Sequence, residues 1–178
     1  MNKFDLLDNI EKSIIYLTDN NKVEKTKLQK SIFLYLIDFC RINKMNFKEV
    51  PEILNFQPYK FGPYSDIITG LVDEMAGYNK IIIQNDESIK SENMIDKYNY
   101  TNEEKSILND IKELTKNLSK NEFVFYVYFN PTIPENIKKY FISKSEIKSR
   151  LKKDREYYIK RLIKKGVITE YDALLYED

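Results

Sequence analysis

Histidine and tryptophan are absent from the 178 residues, cysteine occurs once, and glycine and proline number only 4 and 5. The missing histidine removes the usual general base near neutral pH and a common metal ligand. The single cysteine, Cys40, excludes an internal disulfide. With no histidine to activate it, Cys40 reads as a small buried hydrophobe in an apolar helix. Scarce glycine and proline argue against long disordered linkers and against a turn-rich all-β fold. No phosphate-binding loop or dinucleotide fingerprint is present. No apolar run approaches the roughly 18 residues of a spanning helix. The opening Met1-Asn2-Lys3-Phe4-Asp5 lacks the form of a secretion signal. These absences predict a cytoplasmic protein without membrane attachment, metal or cofactor, and not an enzyme. Glu146-Ile147-Lys148 has the spacing of a nuclease carboxylate and lysine, but Ser143 to Glu146 reads as a helix start, and that chemistry needs a strand.

What is present is an ordinary apolar fraction, many tyrosines and phenylalanines, and a nearly balanced charge of +1. Near neutrality gives no global pull toward nucleic acid. The distribution is uneven. From Lys138 to Lys165 twelve lysines and arginines face only Glu146, Asp154 and Glu156, while Asp86 to Glu113 is acidic on balance.

Leu7, Ile10, Ile14 and Leu17 predict a first helix from about Phe4 to Thr18. A second is expected from Thr26 to about Lys44, with Thr26-Lys27-Leu28-Gln29 as a capping box and Leu28, Ile32, Leu36 and Phe39 as the buried face. Ile53 to Tyr59 suits a short edge strand. Gly62-Pro63 marks a turn, with Pro63 at the threshold of a third helix over about Tyr64 to Met75. Ile81-Ile82-Ile83 predicts a strand, paired with Tyr98 to Tyr100. Further capping boxes stand at Thr101 to Glu104, Ser119 to Glu122 and Ser143 to Glu146. The last opens a basic helix that ends at Gly166, and a short helix follows near Thr169. The order predicts a mainly helical α+β protein. Residues 1–118 form a winged-helix-like domain with a two-stranded wing, and residues 119–178 a helical extension.

Thr26-Lys27-Leu28-Gln29-Lys30, the apolar helix Ser31 to Phe39, and Tyr59-Lys60-Phe61-Gly62-Pro63-Tyr64-Ser65 resemble the Panacea-domain family, which includes SocA-like antitoxins and phage-associated proteins. YwgA-like proteins are also similar. Tyr100-Thr101-Asn102-Glu103 loosely matches the end of the family's wing. The likeness covers about residues 4 to 115. It implies a protein that acts through protein contacts, neutralising a toxin or serving as an adaptor.

Two surfaces are candidates. The first comprises Lys27 and Lys30 with Tyr59, Lys60, Phe61, Gly62, Pro63, Tyr64 and Ser65, a rigid corner bearing aromatic anchors. It predicts a toxin-like or regulatory protein partner, and a homo-oligomer is compatible with it. The second is the basic helix, where Arg150, Lys152, Lys153, Arg155, Tyr158, Arg161 and Lys164 could grip phosphates and stack bases. Conventional winged-helix docking on DNA is disfavoured. Between Lys60 and Lys80 there is no lysine or arginine, and the third helix carries Asp66, Asp73 and Glu74.

Overall fold

The computed structural model describes residues 3–47, 49–133 and 135–176. Helix α1 (Lys3–Thr18) buries Leu6, Ile10, Ile14 and Leu17 along one stripe and ends where Asn20 adopts φ 50°. A short strand β1 (Val23–Glu24) leads directly into α2 (Lys25–Ile42). The chain continues through α3 (Glu49–Ile53), β2 (Gln57–Tyr59), β3 (Gly62–Tyr64), α4 (Asp66–Gly77), β4 (Ile82–Ile83) and β5 (Ser88–Lys90). It closes with α5 (Asn102–Asn117), α6 (Lys120–Phe129), α7 (Lys144–Arg150), α8 (Arg155–Lys164) and α9 (Glu170–Ala173), with 3₁₀ turns at Ile95–Lys97 and Glu135–Tyr140. The protein is mainly helical with two small antiparallel sheets.

The helix α2 is the axis of the core. It packs on α1, α5 and α6, and Ile32, Phe33, Leu34, Tyr35 and Leu36 are all buried, so it has little solvent face over those turns. One continuous apolar cluster runs from Leu6 to Tyr176, so the C-terminal helices share the core of the N-terminal part.

Local capping accounts for the ends of several helices. Thr101 with Glu104 and Ser119 with Glu122 form reciprocal capping boxes, as their spacing predicts. Thr26 and Gln29 do not. Residue Glu24 holds the N-cap position of α2 without a side-chain bond, and Gln29 is drawn away to the hairpin described below. Pro63 does not open a helix. It sits in β3 opposite Pro58, and α4 begins after Ser65, whose hydroxyl accepts from the Ile68 amide. The expected basic helix is split between α7 and α8, because Leu151 turns inward and Asp154 caps α8 by accepting from the Tyr157 amide.

The strand expected at Ile81 to Ile83 pairs differently from the expectation. Ile82 and Ile83 pair with Lys90 and Ile89 across a short turn, not with Tyr98 to Tyr100, and β1 adds a third strand through Val23 opposite Ile89. Asp86 fixes that turn by accepting from both the amide and the hydroxyl of Ser88. Closing so short a loop costs less entropy than closing the longer one. Tyr98 and Tyr100 instead place their hydroxyls on α1, donating to Glu11 Oε1 at 2.6 Å and to the Lys12 carbonyl at 2.9 Å.

Candidate functional site

The two motifs that stand about thirty residues apart in sequence meet in space. The Gln29 side chain, 4 % exposed, bonds the Ser65 backbone in both directions. Ser65, fully buried, also donates its hydroxyl to the Leu54 carbonyl. Each polar group of the pair is thereby matched inside the protein, as burial requires. This clamp sets the β2–β3 hairpin against the first turns of α2 and leaves a cleft of 430 Å³ between them. The cleft is closed on its other sides by Glu87, in the β4–β5 turn, and Lys120, at the start of α6.

The hairpin is pinned from several directions. Gly62 has φ +115°, and a Cβ there would stand 2.9 Å from the Tyr128 ring and 3.3 Å from Lys30 Cε. Only glycine accepts both that conformation and that approach. The Lys120 ammonium lies 4.7 Å from the centre of the Phe61 ring, and Thr69 donates to the Tyr64 hydroxyl. Arg150 donates to the Lys60 carbonyl, so α7 buttresses the hairpin from behind. Tyr59 stacks loosely on Tyr64, with centroids 4.9 Å apart, and keeps 48 % of its surface exposed.

The lysines around this cleft are not equivalent. Lys27 is buried and points away, donating to the carbonyls of Thr115 and Leu118 at 2.9 and 2.7 Å, so it closes the C-terminal end of α5. Burial lowers its pKa. Lys30 is 3 % exposed and lines the cleft. Its ammonium makes no hydrogen bond or ion pair with any described residue and opens on the cleft. Burial, with the repulsion of Lys120, pushes it down to about 7. Lys25, Lys60 and Lys120 complete a cationic wall opposed by Glu87 alone among the lining residues.

Of the residues expected to form a partner surface, the structure gathers all but Lys27 about this one cleft or in its supports. Tyr59 and Lys60 are exposed, and Phe61 and Tyr64 are half-buried. Gly62, Pro63 and Ser65 are buried and structural, as is Lys27. Lys120 and Lys25 were not singled out in the sequence. The former follows a capping serine, where solvation is the ordinary expectation, and its role depends on where α6 docks.

The basic C-terminal residues divide sharply. Tyr158 is buried and stacks on Phe125 at 4.9 Å. Arg155 donates to the carbonyls of Tyr176 and Ala173 and so fastens the end of the chain. Arg161 and Lys165 both reach Glu122, each at 2.7 Å. Burial alone would raise the Glu122 carboxyl, but the bonds from Lys165, Arg161 and Ser119 hold it at about 2. Lys152, Lys153 and Lys164 are exposed. Glu146 is exposed on the first turn of α7, on no strand, where it bonds Ser143 and Arg150. The carboxylate–lysine arrangement of a nuclease is therefore not built at Glu146.

The outer face of α4 presents Asp66, Asp73 and Glu74 to solvent, as expected. No group of three or more acidic or sulfur ligands suited to a metal occurs among the described residues. No helix among them is long and apolar enough to cross a membrane. No family model, no curated protein and no solved structure matches the chain.

Proposed function

We propose that this chain is a non-enzymatic binding module, winged-helix-like in its first part and of the Panacea kind, that docks a protein partner at the mouth of the lysine-lined cleft. The observation that carries this reading is the Gln29–Ser65 clamp, which unites the two motifs of the family likeness and holds Tyr59 and Lys60 outward on a rigid hairpin tip. A pinned tip loses little entropy on binding, and a half-exposed tyrosine offers wide contact area. The surrounding ammonium groups favour a partner with an acidic face. An antitoxin or adaptor that sequesters such a face needs no chemistry of its own.

A nucleic-acid role has less support. Tyr158 is buried, Arg155 and Arg161 are tied up in bonds to Tyr176 and Glu122, and α4 would bring Asp66, Asp73 and Glu74 toward phosphate oxygens.

The test is co-purification of the full-length chain from its native cell, with each retained protein identified. The pair Tyr59→Ala and Lys60→Glu is expected to release the partner while leaving the circular dichroism and melting curve unchanged. Retention of every partner by that folded double variant, with release by Lys152→Glu/Lys153→Glu and sensitivity to nuclease, would overturn the reading.

A further inference from the structure

The cleft contains a largely buried cation, its ammonium open only to the cleft, that no described residue neutralises. A lone ammonium taken out of water is costly unless an anion or a set of carbonyls receives it, as the Lys27 ammonium is received by Thr115 and Leu118. Lys30 has neither, although it is the more deeply buried of the two. Its surroundings worsen the position, because Lys120 faces it from α6 and Lys25 and Lys60 line the same cavity. Glu87 supplies one opposing charge on the exposed β4–β5 turn. A second feature points the same way. The eighteen-residue α2 starts at this cleft, through Lys25 and Thr26, and its N-cap residue Glu24 makes no side-chain bond to the first-turn amides. The positive end of a helix favours an anion there.

The geometry points to an oxyanion site in which a phosphate-class dianion sits on Lys30, between the start of α2, the hairpin tip and Lys120. A single carboxylate would leave most of the wall uncompensated, since four lysines stand against one glutamate. A doubly charged tetrahedral group matches that excess better, and lysine ammonium groups bind phosphate as point charges. The cavity of 430 Å³ exceeds the need of a bare ion and admits a small phosphomonoester, with the Tyr59 ring at the mouth to stack on a flat group. This site lies inside the cleft whose mouth the protein-partner reading uses, but it does not rest on that reading.

The depressed Lys30 makes the site proton-linked. Other groups that face it are Tyr59 and Tyr64 on the hairpin, Tyr128 on α6 and Glu87 on the turn, with Lys25, Lys60 and Lys120. An anion on Lys30 restores its charge, so binding takes up a proton above about pH 7 and weakens as the pH rises.

The experiment is a titration of the full chain in chloride buffer of fixed ionic strength. Sulfate is the probe for the pH series, because its charge is constant from pH 6 to 8. Saturable binding is expected, with half-saturation at about 1 mM or below at pH 6, weakening about tenfold by pH 8. Lys30→Met is expected to lose the site by at least about tenfold and, in anion-free buffer, to melt no lower than the parent. Lys120→Gln weakens it by a smaller factor, and Lys164→Met, exposed on α8 and outside the cleft lining, changes nothing. Inorganic phosphate and adenosine monophosphate are then compared. Equal affinity means the free anion is the ligand, and at least tenfold tighter binding of the nucleotide means a phosphomonoester with a flat ring. Non-saturable binding, a pH-independent affinity, or full retention by a folded Lys30→Met variant would overturn the proposal. Retention of every protein partner by the Tyr59→Ala/Lys60→Glu variant, with anion binding at Lys30 established, would count only against the docking surface.

Discussion

The side chain of Gln29 and the backbone of Ser65 are joined by two hydrogen bonds, donated by Gln29 Nε2 to the Ser65 carbonyl at 3.0 Å and by the Ser65 amide to Gln29 Oε1 at 3.2 Å. A side-chain amide here completes what would otherwise be a missing backbone pairing. Truncating it leaves the buried Ser65 amide without a partner, while the Ser65 carbonyl keeps the Thr69 amide at 3.2 Å. Gln29→Ala is expected to cost about 1–3 kcal/mol by urea denaturation, and Lys25→Ala, in the first turn of the same helix, under about 0.5 kcal/mol.

Lys27 and Lys30 lie three residues apart and respond oppositely to removal of charge. Lys27→Met frees two buried carbonyls at the end of α5 and should destabilise the fold by about 1–3 kcal/mol. Lys30→Met removes an ammonium that has no partner and should be neutral or stabilising. Parallel thermal melts in chloride buffer check both. Equal losses for the two variants would refute the distinction.

Gly62→Ala places a methyl against the Tyr128 ring and demands φ +115° of an alanine. The expected cost is about 2–4 kcal/mol. The double variant with Tyr128→Phe removes one of the three close contacts, the hydroxyl at 3.1 Å, but neither the strain nor the ring contact, and it takes the partner of the Ile142 amide, so it should recover little of that loss. A chemical-denaturation series on the three variants gives the partition.

Glu122 fastens the start of α6 to α8 through Arg161 and Lys165. Its folded pKa of about 2 lies below the ordinary 4.5, so its contribution is fully present above about pH 5 and is lost as the pH falls from 4.5 toward 2. Glu122→Gln is expected to cost about 2–3 kcal/mol at pH 7 and to flatten the acid limb of the stability curve between those values. An unchanged acid limb would mean that another carboxylate governs acid unfolding.

Much of the fold was legible because its causes are local. The Thr101–Glu104 and Ser119–Glu122 boxes need only residues three apart, and the α1 stripe needs only helical spacing. The acidic face of α4 could likewise be read from composition alone. The β4–β5 pairing was misread because two tyrosines resembled strand residues, whereas their hydroxyls had better partners on α1. A clue to the buried lysines was available in α2 itself, where apolar residues from Ile32 to Leu36 leave little polar face for Lys27 and Lys30.

The sequence by itself determined most of the helical segments, though not α3 or the break between α7 and α8, where several of them start, and that the balance of charge is nearly even, since these follow from neighbours along the chain and from composition. Only the tertiary structure decided that Lys27 serves a helix end while Lys30 faces a cationic cleft, that Tyr158 is buried, and that Arg155 and Arg161 are bonded to other parts of the chain. Burial of a charge depends on what the fold brings alongside it from distant positions, and that pairing is not written in local spacing.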